Sequence, residues 1–302
     1  MDSSGSPVRA VGRHARLEAT FARRCGRTVL AHAYVEPPFR IGRTFSIDDA
    51  VYVIVVCSGP GIFGGDELIQ HVHLESGARV FLTSQSALQV HPSTFAQPAL
   101  LRQHYVVESD AELHCHWHPV IPFADAWLDQ RFELQIAEGA RLYWSDALMS
   151  GRAARGERWR FRELAHQLRL DMSGALKYQE RYRLAPARSC ESHLAPESSS
   201  GCGLARDPTR RWLAGDVDYL GTALVSHDNV SATHAEELQQ EVDRLAGVGV
   251  RGAVDLVEAG LIVGRFMSRD GASFSHLRAA SRAFALASIF NCTGPDRAVF
   301  AK

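Results

Sequence analysis

The sequence lacks most of what would declare an enzyme or a membrane protein. Its 302 residues contain no G-x-S-x-G nucleophile elbow, no H-E-x-x-H helix and no Walker phosphate loop. Charge of one sign is missing too. A formal net charge of -1 gives no electrostatic reason to expect nucleic acid or an anionic membrane as partner. The apolar run Val51–Cys57 falls far short of the ~20 residues needed to span a bilayer. The opening stretch MDSSGSPVRAVGRHARLEA has no apolar signal-peptide core and reads as a flexible leader over residues 1–16, so a cytoplasmic protein is expected. Cysteine pairs are absent as well. Cys25, Cys57, Cys115, Cys190, Cys202 and Cys292 form no C-x-x-C, which argues for free thiols in a reducing compartment. Cys190 and Cys202 share a loop-like segment where a metal clip is conceivable, with no second pair to complete it.

What is present is a soluble globular composition, 46% hydrophobic and 22% charged, with fourteen histidines. From Leu17 apolar and polar residues alternate through Leu17, Ala19 and Phe21, turn at Cys25–Thr28, and resume at Val29, Ala31 and Ala33. That is a hairpin pattern. Val51–Cys57 reads as a strand buried on both faces. Beyond it a unit recurs: an alternating strand, a short turn ending in alanine, and a second alternating strand. The turns are Gly77-Ala78, Asp110-Ala111, Gly139-Ala140 and Gly174-Ala175, at intervals of 33, 29 and 35 residues. Repetition at such a period marks a stacked, β-helical architecture of antiparallel strand repeats in which each unit buries its apolar face on the next. A plain meander or sandwich of hairpins is the alternative. Either way Leu17–Tyr182 is all-β.

Residues 185–211 are rich in Ser, Pro and Gly and read as a long, disordered surface loop. The rest, 17–302, forms one β-rich domain with two helices in its C-terminal third. Thr233 as N-cap and Glu236 in the capping-box position open the first, which runs to about Leu245. Gly260–Phe266 reads as a strand. Leu277, Ala280, Phe284 and Ala287 give a second helix over about Ser273–Phe290 its apolar stripe.

Three stretches carry candidate chemistry. Gly59, Gly61 and Gly64 spell G-x-G-x-x-G after a strand, but the residues after Gly65-Asp66 have strand spacing, and a dinucleotide fingerprint must open a helix. Gly65 with the later His71-Val72-His73 resembles the opening of a cupin metal motif, with both imidazoles on one face, although Glu75 comes too early for its usual spacing. His114, His116 and His118 share one face of a strand with Cys115 and Trp117 on the other. Their ends lie about 13 Å apart at ~3.3 Å per residue, too far for one ion to take all three.

Four stretches in collinear order resemble one family. Gly59–Asp66 (GPGIFGGD) resembles the "sGGlvgGD" signature of the urease accessory protein UreD (UreH) family. Leu82–Ser93 (LTSQSALQVHPS) is similar to its "TTQAATKVYRS" segment, with His91 and Pro92 where the family has Tyr and Arg. Val120–Phe123 (VIPF) resembles "T-I-x-F", and Ser145–Arg158 (SDALMSGRAARGER), with Gly151, Arg152 and Gly156, resembles "GRxAxGE". The resemblance implies a β-helical, non-enzymatic metallochaperone. Such a protein binds the urease apoprotein and UreF, which recruits the GTPase UreG. It holds no permanent cofactor and passes nickel in transit. On that reading Asp66 and Glu157, each on a glycine-flanked turn, are candidates for the ion's path. The other possibility for each is purely local: Asp66 bonding turn amides, Glu157 pairing with Arg152 or Arg155. A cupin-like metalloenzyme using His71 and His73 is the alternative from another class.

Overall fold

The computed structural model describes residues 12–93, 97–186, 217–246 and 249–290. It opens with β1 (His14–Arg24) and β2 (Arg27–Val35), an antiparallel hairpin turned at Cys25-Gly26. β1 therefore begins inside the stretch expected to be a leader, of which residues 1–11 lie outside the described residues. β3 (Phe39–Ile41), β4 (Phe45–Ile47) and β5 (Ala50–Cys57) come next. Only one face of β5 is buried, through Val51, Val53 and Val55, while the other is half-covered.

The repeats then run β6 (Glu67–Leu74), β7 (Arg79–Ser84), β8 (Leu88–Val90), β9 (Ala99–Val107), β10 (Glu112–His116) and β11 (Val120–Pro122). They continue through β12 (Trp127–Ile136), β13 (Arg141–Met149), β14 (Glu163–Met172) and β15 (Ala175–Leu184). β16 (Tyr219–Ser226), helix α1 (Ala232–Leu245), β17 (Val250–Glu258), β18 (Leu261–Ser268) and helix α2 (Gly271–Phe284) complete the chain.

Successive strands alternate between two sheets. Sheet one has the order β15-β14-β12-β9-β6-β1-β2, and sheet two β17-β18-β16-β13-β10-β7-β5-β3 with β4, β8 and β11 alongside. Strands one coil apart in a sheet run the same way: β1, β6, β9, β12 and β14 in sheet one, and β5, β7, β10 and β13 in sheet two. The chain is thus mainly β and β-helical, as its repeats suggested, but its coils stack in parallel. Among the described strands antiparallel pairing is confined to β3, β4 and the hairpins and strands at the ends, with one isolated antiparallel bridge between Pro92 and Ala126.

The alanine turns explain how. In the first three, the alanine N–H donates to the carbonyl three residues back, Ala78 to Glu75 at 3.0 Å, Ala111 to Glu108 at 3.1 Å and Ala140 to Ala137 at 3.2 Å. Each turn carries the chain from sheet one to sheet two, and the alanines lie buried where the sheets converge. The fourth, at Ser173-Gly174, closes the antiparallel hairpin β14–β15 instead and ends the parallel stack.

Between the sheets lies one apolar core, including fully buried Trp144 with Tyr105 and Phe132 against it at ring separations of 4.9 and 5.4 Å. A second core joins α1 and α2 to the outer face of sheet two. Ser231, not Thr233, is the N-cap of α1, and its backbone N–H donates to His234 Nδ1 at 3.3 Å, so the box closes through His234 rather than Glu236. Asp270 caps α2, accepting from Ser273 N–H at 2.6 Å, and the helix passes into a π-helical turn at Ala285–Ile289. Among the described residues no helix is long and apolar enough to cross a membrane.

Candidate functional site

The four motifs come together on one edge of the coil. Ile62 bridges in parallel to Val90, β8 pairs with β11, and β11 pairs with β13 at Val120 and Leu148. The glycine loop 58–66 crosses from sheet two back to sheet one here, on the side opposite the alanine turns.

A continuous stack of charged and aromatic side chains links these loops. Asp66 Oδ2 accepts from Arg13 Nη2 at 2.6 Å and from Phe63 N–H at 3.0 Å, while Oδ1 accepts from Arg13 N–H at 2.9 Å. The Arg13 guanidinium also donates to Gly61 O at 2.7 Å and lies 5.7 Å from the Phe63 ring. Phe63 stacks on His91 at 4.4 Å, and His91 meets Phe123 edge to face at 4.8 Å. Arg152 covers Phe123 at 3.8 Å and grips Glu157 through Nε at 2.7 Å and Nη2 at 2.5 Å. Asp66 and Glu157 therefore stand at opposite ends of the stack, each closed by an arginine. Burial pushes the Asp66 carboxyl up, but the hydrogen bonds from Arg13 and Phe63 outweigh it and hold it below the usual range. The Arg152 bond does the same for Glu157. Every oxygen of the two carboxylates accepts at least one hydrogen bond, Glu157 Oε2 also taking the Ala124 N–H at 3.3 Å.

The glycines fit the backbone rather than a ligand. At Gly61, with φ of 124°, an added Cβ would stand 2.2 Å from Gln89 O. At Gly151, with φ of 128°, it would meet Glu157 O at 2.4 Å. Gly64 is crowded by Ser93, Gly65 is in ordinary contact with Gly12, and Gly59 and Gly156 turn the chain where there is open space.

Behind this edge a cavity of about 120 Å³ runs inward between the sheets from Gly59–Gly61, Ser84–Gln89 and His118 to Gln70, Gln103, Gln130 and Asp146. Its inner wall is polar in an otherwise apolar core. Gln70 and Gln103 are in register on β6 and β9, and Gln130, His166 and Tyr182 are in register on β12, β14 and β15. With the Gln130 amide as donor, it reaches His166 Nδ1 at 2.6 Å, so the ring proton is on Nε2, 4.0 Å from Asp146 Oδ2 across the gap. Gln70 Oε1, Gln130 Oε1 and His166 Nε2 are buried without a hydrogen bond among the described residues. Burial, helped by the charge of Arg265, pushes His166 down to about 3, and burial with Glu180 pushes Asp146 up to about 7. Beyond Asp146 the polar groups continue outward. Glu180 accepts from Thr222 Oγ1 at 3.1 Å, and Arg265, half-exposed, donates to Tyr178 OH at 2.8 Å.

No motif in the sequence points to this row, although a signal for it is there. Each of these residues occupies an inward position of an alternating strand, Leu68-x-Gln70-x-Val72, Leu101-x-Gln103-x-Tyr105, Leu128-x-Gln130-x-Phe132 and Leu164-x-His166-x-Leu168.

The other candidates land elsewhere. His71 and His73 point away from the cavity on the outer face of sheet one, and His73 Nε2 meets Glu108 Oε1 at 2.8 Å. His114 is fully buried, bonded to Glu112 at 2.6 Å and stacked on Phe81 at 4.5 Å, while Cys115 and Trp117 face the inter-sheet core. His116 stacks against Tyr143 at 6.5 Å, and His118 is exposed at the cavity mouth. No group of three metal-ligating side chains is assembled among the described residues. Cys190, Cys202, Cys292 and all of the 185–211 loop beyond Pro186 lie outside them.

A family model described as UreD urease accessory protein matches residues 13–297. A urease accessory protein UreD of Trichodesmium erythraeum (strain IMS101) is 36% identical over 151 residues, 48% of this chain and 54% of that protein. One from Sorangium cellulosum (strain So ce56) is 35% identical over 182 residues, 60% of this chain and 57% of the relative. Against these two the match spans little more than half of the relative's length. A third, from Halalkalibacterium halodurans, is 27% identical over 282 residues, covering 90% of this chain and 95% of its own.

Proposed function

This chain belongs to the UreD urease accessory protein family, and on that premise we propose that it serves the insertion of nickel into urease, with the polar row between its sheets as the ion's route. It acts in the cytoplasm on the urease apoprotein, in a complex with UreF and, through UreF, with the GTPase UreG.

The polar row carries the reading. Buried amides and imidazoles without partners cost roughly 1–3 kcal/mol each, and an apolar residue at the same inward position would avoid that. Two amide oxygens left so on separate coils, Gln70 Oε1 on β6 and Gln130 Oε1 on β12, favour a function that uses their lone pairs. Amide oxygens and a carboxylate that ionises near neutral pH are oxygen ligands that a divalent ion can take in transit. None forms a closed set, so the ion is held weakly enough to leave. Asp66 and Glu157 serve differently on this reading, locking the loop edge at the mouth of the cavity. His71 and His73, on the outer face, enclose no cavity of the cupin kind.

The test is reconstitution. Apo-urease with nickel, bicarbonate, UreF, UreG and GTP should gain activity when this chain is added. Equal activation without it would refute the role.

A further inference from the structure

The outer face of sheet one carries a row that neither the cavity nor the loop edge uses. Strand register sets Glu18 of β1 beside His71 of β6, His71 beside His104 of β9, and His104 beside Glu133 of β12. Neighbours in register stand ~4.8 Å apart along the hydrogen-bonding direction. The two imidazoles meet edge to face with centroids 5.6 Å apart. His71 is exposed and His104 half-buried, and neither ring has a hydrogen bond among the described residues, unlike His73 on Glu108. Burial, then the proximity of His104, holds His71 below the ordinary imidazole value, with Glu18 opposing. Neutral imidazole is the form that binds metal.

We propose that His71 and His104 form a two-imidazole site for a divalent transition cation, with Glu18 and Glu133 at its ends as carboxylates in side-chain reach. Two imidazoles on one ion, each nitrogen about 2.1 Å from the metal, place their ring centres roughly 4.5–5.5 Å apart for ligand angles from square to tetrahedral. The observed 5.6 Å is just beyond the open end of that range, so χ rotations that bring the rings together by a few tenths of an ångström reach it. The remaining positions go to water or to a carboxylate drawn from its present surroundings. Glu18 leaves Arg16, now at 3.3 Å, and Glu133 leaves the field of Arg169. An ion so held exchanges readily. The site is on the opposite face of the sheet from the polar row and does not depend on the route proposed there.

The test titrates the purified full chain with Cu²⁺ or Ni²⁺ salts alone, by calorimetry and, for Cu²⁺, by electron paramagnetic resonance. The wild type should bind one equivalent at a site whose Cu²⁺ spectrum shows two imidazole nitrogens. His71→Ala and His104→Ala should each weaken that site by at least about tenfold, the scale on which even outer-shell changes act. His73→Ala should leave it intact. Retention of the site in the His71→Ala/His104→Ala variant, its loss in His73→Ala alone, or no such site in the wild type would each overturn the proposal. All three positions are surface-facing, and an unchanged circular dichroism spectrum confirms that the variants fold.

Discussion

Glu112 has no exposed surface at the start of β10, and its charge survives because three groups converge on it. Burial pushes its carboxyl up, but His114 at 2.6 Å and the guanidinium groups of Arg79 at 3.2 Å and Arg141 at 3.1 Å outweigh that and hold it at about 2. A carboxyl depressed in the folded state stabilises above its unfolded value, near 4.5 here, and that contribution fades as the pH falls toward about 2. Glu112→Gln should cost about 1–3 kcal/mol at neutral pH by leaving Arg141, and Arg79 on the side away from Asp49, facing a neutral amide. Urea unfolding at pH 7 and pH 3 checks this, with the deficit expected to shrink at the lower pH.

Asp146 works in the opposite sense. Its carboxyl, raised to about 7, favours the folded state while protonated, so stability declines as the pH rises from about 4 through about 7. Asp146→Asn should remove that decline and raise Tm at pH 8 by a few degrees relative to wild type, with little difference at pH 4. Thermal melts across that interval would show it. A variant less stable than wild type at pH 8 would mean that the carboxylate is satisfied by its surroundings.

At the scale of elements, the loop edge is rigid because backbone approaches backbone. Gly61→Ala forces a side chain onto Gln89 O in a backbone conformation that L-residues rarely adopt, and should cost about 1–3 kcal/mol. A lowered Tm checks it. The stack Phe63–His91–Phe123 should lose its ordering at the same time. The repeats, the closing helix and the hairpin at Cys25 were legible from alternation, period and turn residues. The parallel pairing was not, because alternation tells which face of a strand is buried and says nothing of which neighbour its edges bond. β16 and β17 were not legible either, because each reads as a short mixed stretch that its sheet neighbours complete, β13 for one and β18 for the other. The N-cap of α1 lies two residues before the expected one because His234, not a Glu or Gln, closes its box.

For the molecule as a whole, each coil has two sides with separate duties. One side turns on buried alanines and carries the Glu108 contacts and, next to Ala111, the buried Glu112 with Arg79 and Arg141. The other gathers the glycine loop, Arg13, His91, Phe123 and Arg152 into the mouth of a cavity. Arg13 and Asp66 are 53 residues apart, and nothing in the spacing of either joins them. Only the coil does. The candidate carboxylates were thus legible in the sequence, whereas the Arg13 partner of Asp66 and the polar row behind the edge required the third dimension. Replacing that row by apolar residues of similar size should leave the coil standing and the outer surface unchanged.

The most direct measurement is the nickel content of urease after reconstitution with a Gln130→Leu/Asp146→Leu variant, taken alongside capture of UreF by the same variant. An internal route predicts undiminished UreF capture and a fall in nickel per urease active site of at least about tenfold, the loss expected when ligands along a metal's way are removed. Full nickel loading by a variant that still captures UreF would contradict the route between the sheets.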